Sequence, residues 1–364
     1  MNNDTVLYVE VYGRYRDLPR AEAVKRVADA RGLTVSGVSG MVTRAHATLP
    51  ARLALMQFLA SQHNEHTPAI NRINAIVERG RAQNAAHHKA LTGMKAAVFV
   101  SDIHFPLADW DALELTYKLV EKLDKWYGVS HVSALSDVND NAGLATHHKD
   151  KRQPEARVFD KDISRTIDLH GEHMSILCKA APNALQISVP GNHDGWLMIY
   201  GDQTKEARPV NFTLMADMME RFEAQGVTFT RMIAEGDFFH LNERLAWVHG
   251  VGTTASAVTR VKKALKAYQL SDDARANRIV DIVSGHLHKH NVTRHPDVAD
   301  MTLYESGALC QYDMSYLNTA PAWTTGVVVS IFDPHSGLHD THPVVYRKNK
   351  AGKYEALLFG QIIK

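Results

Sequence analysis

The chain of 364 residues has only two cysteines, Cys178 and Cys310, and no apolar run long enough to span a bilayer. Two isolated thiols make no disulfide framework and fit a reducing cytoplasm. The same count excludes zinc held by sets of cysteine sulfurs. The first residues, MNNDTVLYVE, lack a basic region followed by an apolar core, so no secretory signal is expected. Low-complexity tracts and internal repeats are missing as well. A strong net charge is also absent, at +1 overall. What remains is an ordinary water-soluble composition, 45% hydrophobic and 22% charged, long enough for about two domains.

Histidine, by contrast, is abundant, with 21 residues. It is the commonest metal ligand among side chains that titrate near neutral pH, but abundance alone proves nothing and spacing must decide. The balanced net charge hides an asymmetry. Residues 1–93 carry 12 Lys and Arg against 7 Asp and Glu, a net +5, while the rest carries 29 against 33, a net −4.

The character of the chain changes near Gly93, which predicts a mostly helical, basic part over 1–93 and a second domain over 94–364. In the first part Val6 to Val11 reads as a short strand. Arg20 to Arg31 places Ala23, Val24, Val27 and Ala28 on one helix face. Gly32 ends that helix and Thr34 can cap the next. Ala28, Gly32 and Val38 match a helix-turn-helix, though a plain helical hairpin is the other reading, since Gly37 and Gly40 cost about 1 kcal/mol each inside a helix. Pro50 to Gly80 reads as further helix, and the polar stretch Arg81 to Gly93 as a linker.

From Met94 the rhythm is strand, polar tip, helix, which implies an α/β domain. Apolar runs at Ala96–Val100, His131–Leu135, Leu185–Val189, Arg244–Val248 and Ile279–Val283 are each followed by polar residues, and Thr302–Glu305 and Gly326–Phe332 read as later strands. Leu113–Trp126 and Asp160–Ala180 read as helices. The stretch VPGNHDGW shows the pattern best: Pro190-Gly191 turns the chain out of a strand and Asn192, His193 and Asp194 follow. By itself this is readable as a turn with local backbone bonds. Five strand ends, however, carry metal-type residues: Asp102 and His104, then Asp137, then Asn192, then His249, then His286 and His288. Alternation in Asp-x-His and His-x-His puts both side chains on one side of the chain. Mixed oxygen and nitrogen donors suit manganese, iron or zinc better than an all-oxygen magnesium or calcium cage, and such a set can hold two cations joined by a carboxylate.

The ordered motifs resemble the calcineurin-like metallophosphoesterase superfamily over roughly Lys95 to Phe332. That family shows D-x-H, G-D-x-x-[DN], G-N-H-[DE], a lone H and G-H-x-H. Here these read Asp102-Ile103-His104, Ser136-Asp137-Val138-Asn139-Asp140, Gly191-Asn192-His193-Asp194, His249 and Gly285-His286-Leu287-His288, with Ser136 where the family usually has Gly. The resemblance implies a four-layer αββα sandwich with two mixed sheets. It implies two divalent ions, manganese first, with iron, zinc or nickel as alternatives. One ion would take Asp102, His104 and His288, the other Asn192, His249 and His286, with Asp137 bridging. A bridging hydroxide would attack phosphorus. His193 would serve the leaving oxygen, with Asp194 orienting it and Asp140 supporting the ligands.

His147, His148, Lys149 and Arg152 follow the second motif and are candidates for holding substrate phosphates, or else form a solvated basic loop. His131 reads as a core histidine, His170 and His173 as structural or solvent-facing, and His87, His88 and His290 as surface residues. The basic first part and its possible helix-turn-helix suggest a nucleic-acid substrate and no membrane partner. The rival expectations are a small-substrate phosphomonoesterase or cyclic-nucleotide phosphodiesterase, and a non-catalytic DNA-binding protein on the same fold.

Overall fold

Leu7, Tyr8 and Val11 recur at helical rather than strand spacing, and the chain folds accordingly: α1 (Asn3–Val9) runs into a π-helical turn at Glu10–Arg14, where a short strand was expected. The computed structural model describes residues 3–15, 18–46, 54–55, 58, 67–140, 159–196, 212–233, 238–250, 256–269, 281–311 and 322–364. The three α1-region side chains share an apolar cluster with Ala23, Val24, Val27 and Ala28 of α2 (Arg20–Arg31) and Val38 and Val42 of α3 (Val35–His46). Burial against two helices outweighs the β preference of the valines. Between α2 and α3 the turn is built as the sequence indicates. Gly32 stands at φ 63° and the Leu33 N–H reaches back to the Ala28 carbonyl at 2.9 Å. Thr34 Oγ1 accepts from Gly37 N at 3.1 Å, and a Cβ on Gly37 would stand 2.9 Å from that oxygen, so this glycine makes room for the cap.

The expected linker is helix. α4 (Thr67–Ala90) runs through residues 81–90, and its Ile73, Ile76 and Val77 lie in the main core. Arg72 pairs with Asp217 at 2.7 Å, Arg79 with Glu223 at 2.6 Å, and Arg81 Nε donates to the Thr230 carbonyl at 2.8 Å. The polar stretch is polar because only one stripe of this helix meets the protein, and its Ala, Arg, Gln and Lys residues are good helix formers. This helix, which lies before residue 93, packs on the larger unit.

Four strands begin that unit: β1 (Lys95–Phe99), β2 (Val129–Leu135), β3 (Leu185–Ser188) and β4 (Val227–Thr228). The next five, β5 (Phe239–His240), β6 (Leu245–Val248), β7 (Asp281–Ser284), β8 (Asn291–Arg294) and β9 (Thr302–Glu305), form a second sheet. The last four, β10 (Gly326–Phe332), β11 (His339–Lys348), β12 (Tyr354–Leu358) and β13 (Gln361–Ile363), return to the first. Spatial order is β13-β12-β11-β10-β1-β2-β3-β4 in one sheet and β5-β6-β7-β9-β8 in the other. Both mix parallel and antiparallel pairs.

Alternation sorts side chains between layers. Ala97 and Phe99 of β1 and Ile187 of β3 meet Leu245 and Trp247 of β6 and Val283 of β7 between the sheets. Ala96 and Val98 point the other way, toward α4, α5 (Trp110–Tyr127), α6 (Phe159–Ala180) and the helix that follows α7 (Asn192–Trp196), namely α8 (Phe212–Ala224). Ala246, Val248 and Ile282 pack under α9 (Ala257–Gln269). The layers are thus helices, sheet, sheet, helix, a mixed α/β sandwich with two mixed sheets. Among the described residues no helix is long and apolar enough to cross a membrane.

Candidate metal centre

Parallel neighbours end at the same edge of a sheet, and this is what gathers the motifs. β1, β2 and β3 run parallel in the first sheet and β6 and β7 in the second. The residues that follow them therefore converge where the two sheets face each other. Five of the seven ligand-type residues adopt positive φ: Asp102 at 55°, His104 at 53°, Asp137 at 51°, His286 at 78° and His288 at 57°. Such backbone costs about 1–3 kcal/mol per non-glycine residue and concentrates at functional sites. The sharp left-handed turns throw the side chains inward off the strand ends.

Two groups result, and Asp137 belongs to both. Asp102, His104 and Asp137 offer ligand atoms within 4.8 Å of one another, as do Asp137, His249 and His286. On the first side His288 Nε2 lies 3.1 Å from Asp102 Oδ1 and 3.2 Å from His104 Nε2. On the second, His249 Nε2 lies 2.8 Å from Asp137 Oδ2, yet outside hydrogen-bond geometry. Asn192 Oδ1 is buried without a hydrogen-bond partner among the described residues. A buried orphan acceptor costs about 1–3 kcal/mol, and a cation would satisfy it. This donor set, carboxylate, imidazole and amide oxygen, fits divalent metal ions.

Electrostatics agree. Burial pushes the Asp102 and Asp137 carboxyls up, but the surrounding imidazoles, His288 and His249 foremost, hold both below the usual carboxylate range. Burial lowers His249, but the charges of Asp137 and Asp102 outweigh it and raise the imidazole to about 9. In the metal-free protein His249 therefore carries a proton at neutral pH, which it must release to ligate. Burial, then His249, lowers His286 to about 4, so that imidazole is already neutral.

His193 and its neighbours are arranged differently from expectation. Its ring stands 4.5 Å from that of His104, and its backbone N–H donates to Asp137 Oδ1 at 2.7 Å. The carboxylate beside its Nδ1 belongs to Asp140, at 3.3 Å, and not to Asp194. Asp140 Oδ1 also lies 3.2 Å from His104 Nδ1, without hydrogen-bond geometry, and the hydrogen bond of His193 Nδ1 runs to the Asp140 backbone carbonyl at 3.3 Å. Asp194 instead accepts from the backbone N–H groups of Asp137 at 2.7 Å and Gly191 at 3.1 Å. It sits one helical step from His193 with its side chain turned into the turns, which it ties together. Burial and the charge of Asp137 raise it to about 6. His193 is lowered by burial but raised more by Asp137 and Asp140, so its net shift is upward, toward the protonated form.

Two contacts escaped the sequence. Ser136 Oγ lies 2.8 Å from His249 Nδ1, both groups fully buried, so the serine that departs from the expected glycine holds the His249 imidazole. That departure was the one available signal. Cys310, also buried, places Sγ 3.9 Å from His288 Nδ1 and falls in one group with His104 and His288. One thiol therefore does stand beside the centre, although two cysteines excluded a sulfur-built zinc site. Gly191 is required by packing: a Cβ there would strike Asp137 Oδ1 and meet His249 Cδ2 at 2.6 Å. His170 and His173 are fully buried rather than solvent-facing, and His87 Nε2 reaches the Ser130 carbonyl at 3.0 Å. His147, His148, Lys149 and Arg152 lie outside the described residues.

No protein-family profile matches the chain, and no curated protein matches it in sequence. Among solved structures it is similar to a single mutant of Vps29 from Entamoeba histolytica, at 12% identity and TM-score 0.30, over 73% of this chain and 95% of that one. It is also similar to a conserved uncharacterized protein, described as a predicted phosphoesterase, from Streptococcus pneumoniae, at 12% identity and TM-score 0.28, over 69% and 99%.

Proposed function

We propose that this chain is a metallophosphoesterase of the calcineurin-like kind, holding two divalent ions and hydrolysing phosphodiester bonds in nucleic acid. The observation that carries the reading is the pair of buried ligand groups sharing Asp137, with His193 set beside them. Asp102, His104 and His288 would hold one ion, Asn192, His249 and His286 the other, and Asp137 both. When bound, two such ions supply an activated water and neutralise charge on the phosphoryl oxygens. The chain's own contribution is then positional. Asp140 keeps His193 oriented through Nδ1, so the proton delivered to the leaving oxygen is the one on Nε2. Burial lowers His193, but Asp137 and Asp140 shift it net upward, in the direction a proton donor needs. Asp194 ties Gly191 to Asp137 and so fixes the distance between the motif and the bridging carboxylate.

Manganese is the metal we favour, on the mixed donor set. Nucleic acid as substrate is supported by the basic first part and its capped α2–α3 turn. Glu10 and Asp4 engage Arg31 and Arg44, so less of that charge is available to a phosphate backbone than the count suggests. A reducing cytoplasm is the setting we favour, on two unpaired thiols.

The test is manganese-dependent hydrolysis by metal-analysed protein on bis-nitrophenyl phosphate, nitrophenyl phosphate and labelled single- and double-stranded DNA and RNA. Cleavage of nucleic acid that disappears in Asp137→Ala is the expected result. Turnover of nitrophenyl phosphate alone would leave a phosphomonoesterase, and no turnover with metal retained would leave a binding protein. In the same assay His193→Ala should cut turnover by about a hundredfold or more on substrates with poor leaving groups while keeping most of its metal.

A further inference from the structure

The segment that follows β9 is laced to the turn that carries the first motif. Leu309 N donates to the Asp102 carbonyl at 3.0 Å, Asp109 N donates to the Leu309 carbonyl at 2.8 Å, and Gln311 N donates to the Leu107 carbonyl at 2.9 Å. Cys310 stands between these bonds. Its side chain is buried with Ala308 and packs with Leu107 and Trp323, whose ring lies 4.1 Å from that of His288, centroid to centroid. From this fixed backbone the thiol meets the imidazole that follows β7: Sγ lies 3.9 Å from His288 Nδ1, in hydrogen-bond geometry. The other nitrogen of that ring faces the centre, with Nε2 3.1 Å from Asp102 Oδ1 and 3.2 Å from His104 Nε2. The backbone of His288 is held as well, since Thr324 N donates to its carbonyl at 2.8 Å.

A neutral imidazole has one proton for two nitrogens. A ring that offers Nε2 to a cation must keep that proton on Nδ1, and a buried N–H needs an acceptor. Among the described residues the sulfur of Cys310 meets it. We propose that Cys310 is a positioning residue of the first metal side: its sulfur accepts from His288 Nδ1–H and fixes the tautomer and ring angle with which Nε2 faces Asp102 and His104. The inference rests on the metal-centre reading and adds to it a residue outside the strand-end motifs. Because Cys310 is laced to the Asp102 turn, its thiol also sets the last motif against the first. The two sides then differ in the group behind the ring, a hydroxyl of Ser136 at His249 and a thiol at His288. A thiol is the weaker hydrogen-bonding group of the two, so the first side depends on a soft contact held by rigid backbone.

The test begins with nuclear magnetic resonance of the metal-free chain, isotope-labelled in its histidine nitrogens, with the His288 signals assigned by their loss in His288→Gln. Protonation on Nδ1 is expected in the wild-type chain and in Cys310→Ser, and a mixture of tautomers in Cys310→Val. Manganese affinity of the first side is then measured by calorimetry in a His286→Ala background, which removes a donor of the other side. Cys310→Val should weaken it by about 10–100-fold, and Cys310→Ser should keep it. The pair separates bonding from packing, since valine fills the space and accepts nothing, whereas serine accepts and leaves space. Affinity kept by valine and lost by serine would reduce Cys310 to packing and overturn the proposal, as would a proton on Nε2 of His288 in the wild-type chain. A tautomer that answers to Cys310 in a chain that binds no manganese would uphold the thiol's hold on the ring and sink the metal-centre reading. Tight manganese binding indifferent to Cys310 would do the reverse.

Discussion

Ser136 shows how one small side chain can orient a buried imidazole of the candidate centre. With its Nδ1 against Ser136 Oγ at 2.8 Å, the His249 ring presents Nε2 toward Asp137. Partners of this kind fix the tautomer and the ring, and their loss costs about 10–100-fold in metal affinity. Ser136→Ala should weaken the second ion by that factor in a metal titration while Asp102, His104 and His288 keep the first. Unchanged affinity at both sites would mean the hydroxyl is idle. Gly191 works through space instead of bonding. Gly191→Ala drives a methyl into Asp137 and His249, so metal loading should fail, and overpacking should cost about 1–3 kcal/mol in a urea titration. A metal-replete Gly191→Ala protein would show that the turn can shift. These two residues were legible to different degrees: the glycine is part of the motif, whereas the serine showed only as a departure from it.

At the scale of the element, α4 lies before residue 93 yet packs into the core of the larger unit. Ile73, Ile76 and Val77 are buried in its core, and Arg72 and Arg79 clamp the helix to α8. Burying such side chains is worth about 1.5–3 kcal/mol each, so the helix contributes several kcal/mol to a fold whose whole stability is of order 5–15 kcal/mol. A fragment starting at Thr67 should therefore unfold cooperatively in a thermal scan, while one starting at Met94 should aggregate or melt far lower. Equal melting of the two would place the boundary back near residue 93. Only its last part, residues 81–90, was read as linker, because in a window ending at Gly93 the polar residues outweigh the packing they conceal. Gly80 marks the contact, since any side chain there would strike the backbone of Phe229.

At the scale of the molecule, the histidines that ligate nothing still set its response to acid. His131 and His173, both fully buried, are lowered to about 3, by burial first, and His290 is lowered to about 4 by burial. Each folded value lies below the unfolded one of about 6.5. The unfolded chain therefore binds more protons in that window. The stability these groups permit is complete above about pH 6.5 and is lost as pH falls toward the folded values, at up to about 1.4 kcal/mol per pH unit for each histidine. Urea midpoints of the metal-free protein should fall between pH 7 and about pH 5, and His131→Phe should flatten that slope. A slope unaltered by that substitution would assign the acid sensitivity elsewhere.

The strand-end motifs could be read in one dimension because their chemistry is local. Each apolar run ends in a turn, the turn exposes two or three ligand-type residues, and their order along the chain marks the architecture. The α2–α3 caps were local too, since Gly32 and Thr34 act on neighbouring backbone groups. Contacts across the fold were not readable this way. That Asp140 and not Asp194 faces His193, that Ser136 holds His249, that Cys310 and Trp323 back His288, and that α4 belongs to the core all depend on which turns and surfaces meet. Adjacent residues such as His193 and Asp194 point in different directions from a left-handed or helical turn, so proximity in sequence is a poor guide to which carboxylate serves which imidazole. Packing the two sheets face to face made those assignments, by bringing together strand ends that lie more than a hundred residues apart, such as Asp102 and His288.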